Sequence, residues 1–169
     1  MRLRLALLAS PVLACAVAHA ADAPPPSNTV VKYIHPEHFV DAADSGFGGT
    51  ASPVVLAEMT SVFQDLGAQY ISAGEQLTLD VTDIDLAGRY QPGPNAGDWT
   101  RVMTDADWPR MSLHYTLTQD GKVLSQGDAS ISDMSYLSHA GKRSNSSDDK
   151  FYYERTMLDR WFKKTFASK

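Results

Sequence analysis

The chain has 169 residues, of which 43% are hydrophobic, a single cysteine and a formal net charge of −5 at neutral pH. This length fits one domain, and the acidic balance argues against nucleic acid and anionic lipid as partners, since both require a basic face. The sequence has no internal repeat, and beyond its first twenty residues it has no apolar stretch long enough to span a membrane.

Residues 1–20 have the features of a secretory signal peptide. Arg2 and Arg4 form a short positive segment, an apolar run follows from Leu5 to Val17, and Ala18-His19-Ala20 places small residues where a signal peptidase cleaves. We therefore expect a mature chain that begins near Ala21 and is periplasmic or secreted. That chain has 13 basic and 20 acidic residues, a formal charge of −7.

The single cysteine gives an alternative N-terminus. Val12-Leu13-Ala14-Cys15 resembles a lipobox, and acylation of Cys15 would make the protein an anchored lipoprotein. Residues 16–18 stay apolar where a lipoprotein normally becomes polar, which favours cleavage after Ala20. The mature chain then has no cysteine, so no disulfide contributes to its stability.

Residues 21–28 are predicted to be a proline-rich tether, and residues 29–169 a single domain. Three consecutive prolines in the tether favour an extended conformation that has little to pack. The segment from Thr29 to Ile34 is apolar and β-branched, which predicts a first strand that Pro36 stops.

The clearest predicted helix begins after Ser52. Ser52 is a suitable N-cap, Pro53 suits the first helical position, and Gly74 can close the end. Apolar side chains recur at three- and four-residue spacing, at Val55, Met59, Val62, Phe63, Leu66 and Tyr70. This apolar face requires a surface to pack on.

Alternating apolar residues predict the sheet that supplies this surface. Residues 77–81 and 111–117 alternate between apolar and polar, while Ile84 and Leu86 have the other parity, so we expect a bulge or a strand end near Asp83. The sequence Gln-Asp-Gly-Lys at residues 119–122 predicts a hairpin turn that leads to a partner strand over residues 123–131.

A polar loop over residues 132–149 precedes the last predicted helix. Its broad apolar face consists of Tyr153, Met157, Leu158, Trp161, Phe162 and Phe166. The predicted order is β-α-β-β-β-α. Hairpin-joined strands with helices on one face favour a two-layer α+β domain, with a mostly antiparallel sheet of about four strands and two helices.

Four spaced blocks of this sequence resemble DUF3016, a family of secreted Gram-negative bacterial proteins of unknown function. The blocks are Val81–Gly88, Trp108–Tyr115, Ser132–Leu137 and Tyr153–Phe162. They occur in the family's order, and the resemblance covers roughly residues 30–166. It implies an envelope or secreted location and brings no assigned activity.

His35, His38 and Asp41 are the candidate metal ligands. Two imidazoles and one carboxylate within seven residues would give zinc three ligands and leave one position open. Pro36 places them on a loop rather than at helical spacing, and histidines at strand ends more often bond to the backbone. The sequence therefore predicts no metal and no cofactor, with these three residues as the alternative.

Three carboxylates, Asp80, Asp83 and Asp85, lie close together in the second predicted strand. A pair formed by Asp83 and Asp85 on one face would bind a hard cation or act as acid and base. A solvated strand end, with pairing to Arg89 or Arg110, is the simpler interpretation. The sequence contains no Gly-x-Ser-x-Gly motif, and we predict no catalytic residue.

The connection from Gly88 to Pro109 is the best candidate for a binding surface. Long loops without secondary structure are uncommon in small domains and often bind partners. Aromatic and arginine side chains dominate interfaces, and here the candidates are Tyr90, Trp99, Arg101, Trp108 and, just past the end, Arg110. The alternative is that the tryptophans fold inward and anchor the connection.

Taken together, these patterns predict a non-catalytic periplasmic or secreted domain that binds an envelope protein or a small ligand. The alternative is a metal-assisted hydrolase that uses His35, His38 and the Asp83/Asp85 pair. A stress or storage protein without a specific ligand is a third alternative.

Overall fold

A computed structural model describes residues 27–45, 51–95, 97–139 and 150–167. The predicted signal peptide and most of the predicted tether lie outside these residues. The elements, in chain order, are β1 (Thr29–Tyr33), a 3-10 turn (Pro36–His38), α1 (Pro53–Tyr70), β2 (Glu75–Asp85), β3 (Arg89–Pro92), β4 (Trp99–Val102), β5 (Arg110–Gln119), β6 (Lys122–Ser132), α2 (Tyr136–His139) and α3 (Tyr152–Phe166).

Helix α1 begins as its sequence predicts. The Ser52 hydroxyl accepts a hydrogen bond from the Val54 amide at 3.3 Å, and Pro53 occupies the first turn, where its missing N–H has no partner to lose. The predicted apolar face is buried, with Val55, Met59, Val62, Phe63 and Leu66 all in the core. This face packs on the sheet.

Strands β1 and β2 pair in parallel, from Thr29 opposite Leu77 to Tyr33 opposite Val81. Parallel neighbours need a long connection, and α1 supplies it. The helix approaches β1 closely because Gly67 has no side chain at the contact. A Cβ atom at that position would lie only 1.8 Å from Oγ1 of the buried Thr29.

Strand β2 pairs antiparallel with β5, and the register shifts between Val81 and Asp83. This confirms the predicted bulge. The extra residue returns Ile84 to the same buried side as the apolar residues before it. The bulge also lies next to the end of the strand, where Asp85 is buried.

Strands β5 and β6 form the predicted hairpin. Asp120 and Gly121 both have positive φ, at 50° and 75°, the conformation that a two-residue turn of this kind requires. The strand order is β1-β2-β5-β6, and helices α1 and α3 cover one face of the sheet. The predicted two-layer α+β fold with a four-stranded, mostly antiparallel sheet is confirmed.

Helix α3 completes the core. Its residues Met157, Leu158, Phe162 and Phe166 are buried. Trp161 is half-buried, and its ring meets the ring of Tyr115 edge-on at 5.9 Å. Polar side chains occupy the opposite face of the sheet. There, His114 Nδ1 lies 2.7 Å from a carboxylate oxygen of Asp128.

The connection between β2 and β5 is more ordered than its sequence predicts. Strands β3 and β4 pair antiparallel within it as a separate two-stranded sheet, from Arg89 opposite Val102 to Pro92 opposite Trp99. Neither strand has the alternation of apolar and polar residues that indicates a half-buried strand. We call residues 88–109 the arm. None of the described helices is both long and apolar enough to cross a membrane.

Candidate functional site

Two aspartates meet at the base of the arm. The segment that follows the 3-10 turn runs beside the end of β2, where Asp41 and Asp85 form an isolated parallel bridge. The Asp41 amide donates to the Ile84 carbonyl at 2.9 Å, and the Leu86 amide donates to the Asp41 carbonyl at 3.0 Å. This backbone pairing places two carboxylates side by side beneath β3 and β4.

Arg101, on β4, holds Asp41 with both ends of its guanidinium. Nη1 lies 2.9 Å from Oδ2 and Nη2 lies 3.1 Å from Oδ1, and Nη1 also donates to the carbonyls of Ala87 and Gly88. Burial alone would lower the pKa of Arg101, but its hydrogen bonds and attraction to Asp41 outweigh burial and raise it. A charged, two-pronged pair of this kind is strong and directional.

Asp85 is held by two further arginines. Its side chain is 1% exposed; Arg89 Nη2 lies 2.8 Å from Oδ1, and Arg110 Nε donates to Oδ2 at 2.9 Å. Arg89 also reaches Asp41 at 3.3 Å and Asp107 at 3.7 Å, which joins the two carboxylates into one network. We call Asp41, Asp85, Arg89, Arg101 and Arg110 the clamp.

The aromatic residues of the arm divide into anchors and surface. Arg101 lies over the Tyr90 ring at 4.5 Å, and the Tyr90 hydroxyl donates to the Asp44 carbonyl at 2.8 Å. Arg110 lies 5.2 Å from the Trp108 ring centre. Trp99 is 37% exposed. Tyr90 and Trp108 therefore anchor the arm to the clamp, while Trp99 presents part of its ring to solvent.

A cavity of about 200 Å³ lies between the arm and α3. Tyr90 and Arg101 line one side, and Phe151 and Glu154 line the other. The Glu154 side chain is buried, and its Oε1 accepts a hydrogen bond from the Ala87 amide at 2.7 Å. Glu154 is not among the residues that the sequence patterns predict for a site. Its position one helical turn before Leu158, on the apolar face of α3, was the available signal.

The structure places His35, Glu37 and His38 together at the 3-10 turn, with His35 directly before its first residue. Their ligand atoms all lie within 4.8 Å of one another, and all three residues are exposed. His35 Nδ1 is 3.1 Å from Glu37 Oε1, and the two imidazole rings stack at 5.8 Å. Hydrogen bonds from the Glu37 backbone amide and from the His35 ring lower the pKa of the Glu37 carboxyl group. Asp41, the third ligand expected from the sequence, lies in the clamp instead.

The carboxylates of β2 go to different partners. Asp80 faces Lys32 at 3.8 Å, Asp83 Oδ1 accepts from the Val40 amide at 2.9 Å, and Asp85 is in the clamp. In the described stretches of chain, the histidine and acidic groups close enough to share a metal ion include neither Asp83 nor Asp85. The expected pairing with Arg89 and Arg110 is present at Asp85, although this strand end is buried rather than solvated.

A second acid–arginine cluster joins α2 to α3. Asp133 is 6% exposed; its carboxylate pairs with Arg160, accepts from the Ser135 amide, and lies 2.8 Å from His139 Nδ1. The open groove beside it, lined by Met134, Met157 and Trp161 among others, has a volume of about 530 Å³. The contacts of Asp133 fix the chain that leaves β6 against the last helix.

Comparison with known proteins identifies one family. A family model described as "Protein of unknown function (DUF3016)" matches residues 27–164. No curated protein and no solved structure matches the chain. The matched stretch begins just before β1 and ends inside α3, so it contains the sheet, the arm and the clamp. The chain therefore belongs to the DUF3016 family.

Proposed function

We propose that this protein is a non-catalytic periplasmic or secreted domain that binds an envelope protein through its arm. The observation that carries this proposal is the clamp. Its five charged side chains hold the arm in place, although the described part of the arm contributes nothing to the hydrophobic core. In the part of the arm that the structure describes, no side chain belongs to the hydrophobic core.

A segment held this way is suited to binding. Fixing the backbone of an interface before association removes part of the entropy cost of binding. The arm then presents Trp99 and Val102, which are 37% and 36% exposed. Both lie on β4, and the backbone of β4 is already paired with that of β3. Tryptophan is among the residues that contribute most to interfaces, because it gives a large contact area with few rotatable bonds to immobilise.

A protein partner fits this surface better than a small ligand. The cavity between the arm and α3 measures about 200 Å³, whereas sites for drug-sized ligands are usually ~300–1,000 Å³. The partner is expected to be basic or neutral because the mature chain carries a formal charge of −7. The signal-like N-terminus supports a partner in the cell envelope.

The observed partners of the acidic residues favour binding over hydrolysis. A metal-assisted hydrolase built on His35, His38, Asp83 and Asp85 needs these groups around one reacting centre. Asp83 instead holds the Val40 amide, and Asp85 neutralises two arginines. Both carboxylates therefore act as structural groups.

In-cell photocrosslinking tests the proposal. A photoreactive aromatic residue at position 99 should give one defined crosslinked envelope protein, and the same residue at position 119, next to the turn between β5 and β6, should give little. Asp41→Asn should weaken the crosslink from position 99, since it loosens the pair that holds β4. Equal capture from both positions, or capture that Asp41→Asn leaves unchanged, would contradict the proposal.

A further inference from the structure

We propose that His35, Glu37 and His38 form a binding site for one divalent transition-metal ion of the copper and zinc class. This site is separate from the arm and does not depend on the function proposed for it. Its donor set is two imidazoles and one carboxylate, which suits copper(II), nickel(II) and zinc and leaves further positions for water.

The distances between the three side chains are compatible with one ion. Their ligand atoms lie within 4.8 Å of one another before any metal is bound. Metal–nitrogen bonds of ~2.0–2.1 Å require ligand atoms somewhat closer than this, so modest side-chain rotation suffices. The side chains are free to rotate, since that of His35 is 72% exposed and that of Glu37 is 48% exposed.

The backbone beneath these side chains is fixed. His35 has the left-handed conformation, with φ 53° and ψ 55°, and Pro36 follows it at the start of the turn. The Ile34 amide donates to Val81 at 2.8 Å, and the His38 amide donates to His35 at 2.9 Å. Phe39, directly after the turn, is buried against Tyr33. The ligands are therefore presented from a rigid base.

The left-handed conformation of His35 has a consequence for side-chain placement. Non-glycine residues rarely adopt it because it is sterically strained, so it persists where the surroundings impose it. Here it turns the chain back at the end of β1 and stacks the His35 ring on that of His38, at an angle of 23°. A straight continuation of the strand would separate the two imidazoles.

These three side chains have no competing partner in the described chain. Among the described residues, the hydrogen bonds and ion pairs of these side chains stay within residues 35–38, where His35 pairs with Glu37 and stacks on His38. The other described histidines are both engaged, His114 with Asp128 and His139 with Asp133 and Arg160. His114 therefore gives a matched control, with one imidazole and one carboxylate on a different surface.

Calorimetric titration of the tag-free mature protein with copper(II) and with zinc tests this site. Metal analysis after dialysis then gives the number of ions bound per chain. We expect one ion per chain, with copper(II) bound more tightly than zinc. His38→Ala and Glu37→Gln should each weaken binding at least ~10-fold, which is what loss of even an outer-shell partner costs. His114→Ala should leave the affinity unchanged.

His35→Gly separates ligand loss from loss of fold. Glycine adopts the left-handed conformation without strain, so this variant should unfold no more easily than the wild type while its metal affinity falls at least ~10-fold. The bound copper(II) should show nitrogen hyperfine structure in its electron paramagnetic resonance spectrum, and His38→Ala should remove part of it. No stoichiometric uptake, or equal weakening by His114→Ala, would overturn the proposal.

Discussion

Asp85 depends on its two arginine partners more than they depend on Asp85, because they differ in burial. The aspartate is 1% exposed, whereas Arg89 and Arg110 are 34% and 48% exposed. An arginine that loses its partner can turn toward water, but a carboxylate left at this position stays buried without a counter-charge. The clamp therefore stabilises the aspartate more than it stabilises the arginines.

Replacing Asp85 and replacing its two arginines should lower the free energy of unfolding by different amounts. Asp85→Asn keeps the shape and removes the charge, and should lower the free energy of unfolding by about 1–3 kcal/mol. The double variant Arg89→Met/Arg110→Met leaves the carboxylate buried without a counter-charge and should cost about 3–5 kcal/mol. Urea denaturation measures both. A larger loss for Asp85→Asn than for the double variant would contradict this assignment.

Tyr33 should make stability fall at alkaline pH. Burial raises its pKa to about 12, against the lowering effect of a hydrogen bond with Thr60. The unfolded chain ionises this tyrosine near pH ~10. The stabilisation is therefore complete below pH ~10 and is lost as the pH rises toward 12, since only the unfolded state releases the proton in that interval.

Tyr33→Phe isolates this effect. At pH 8 the variant should be less stable by roughly 1 kcal/mol, because the hydroxyl no longer donates to the Leu56 carbonyl at 2.8 Å. Between pH 10 and 11.5 the difference from the wild type should shrink, and denaturation at several pH values follows it. A difference that stays constant across this range would show that Tyr33 ionises normally.

At the scale of the elements, Gly67 sets how closely α1 approaches β1. A Cβ atom there would lie 1.8 Å from Thr29 Oγ1. At an exposed helix position Gly→Ala is stabilising by ~0.5–1 kcal/mol, but Gly67→Ala should instead destabilise by about 1–3 kcal/mol, as overpacking does. Thermal denaturation checks the sign. Thr29→Ala in the same chain should recover part of the loss, and stabilisation by Gly67→Ala alone would disprove the close packing.

Helix α3 should be required for the core. Phe162 is fully buried, so Phe162→Ala should lower the free energy of unfolding by about 3–5 kcal/mol. Lys163→Ala, next to it on the exposed side, should change it by less than ~0.5 kcal/mol. Trp161→Ala should fall between these, because Trp161 is half-buried. If the Phe162 and Lys163 variants are equally stable, α3 contributes little to the core.

Local signals made most of the elements predictable. The Ser52-Pro53 start, the apolar face of α1, the turn at Asp120-Gly121 and the bulge near Asp83 each depend on a few adjacent residues, and the structure shows all four. The parallel pairing of β1 with β2 has no local signal. Strands β3 and β4 also lack a local signal, because they are short and their apolar and polar residues do not alternate.

The site was predictable only as a set of residues. The sequence predicts a binding surface formed by Tyr90, Trp99, Arg101, Trp108 and Arg110. In the structure, Arg101 and Arg110 lie mainly within the clamp. Proximity in the sequence predicts Asp41 as a ligand beside the histidines. Its distance from Arg101 along the chain is far greater, and only the pairing with the end of β2 brings the two together.

For the whole molecule, we expect export and an intact mass that corresponds to a chain beginning at Ala21. This follows from the small residues at 18–20 and from the apolar residues that continue after Cys15. Mass spectrometry of the protein from the periplasm or medium measures it. A product that begins at Cys15 and carries acyl chains would show an anchored lipoprotein, and an uncleaved chain would show that residues 1–20 are not a signal peptide.

The bridge between Asp41 and Asp85 makes the arm dependent on the order of folding. Asp41 lies beside Asp85 through the same parallel pairing that sets β1 beside β2, and closing the long connection through α1 has an entropy cost, so we expect this pairing to form late. The hairpin of β5 and β6 needs no such closure. A chain whose first strand has not docked would lack one of the two carboxylates under the arm, so we expect the arm to become ordered late in folding.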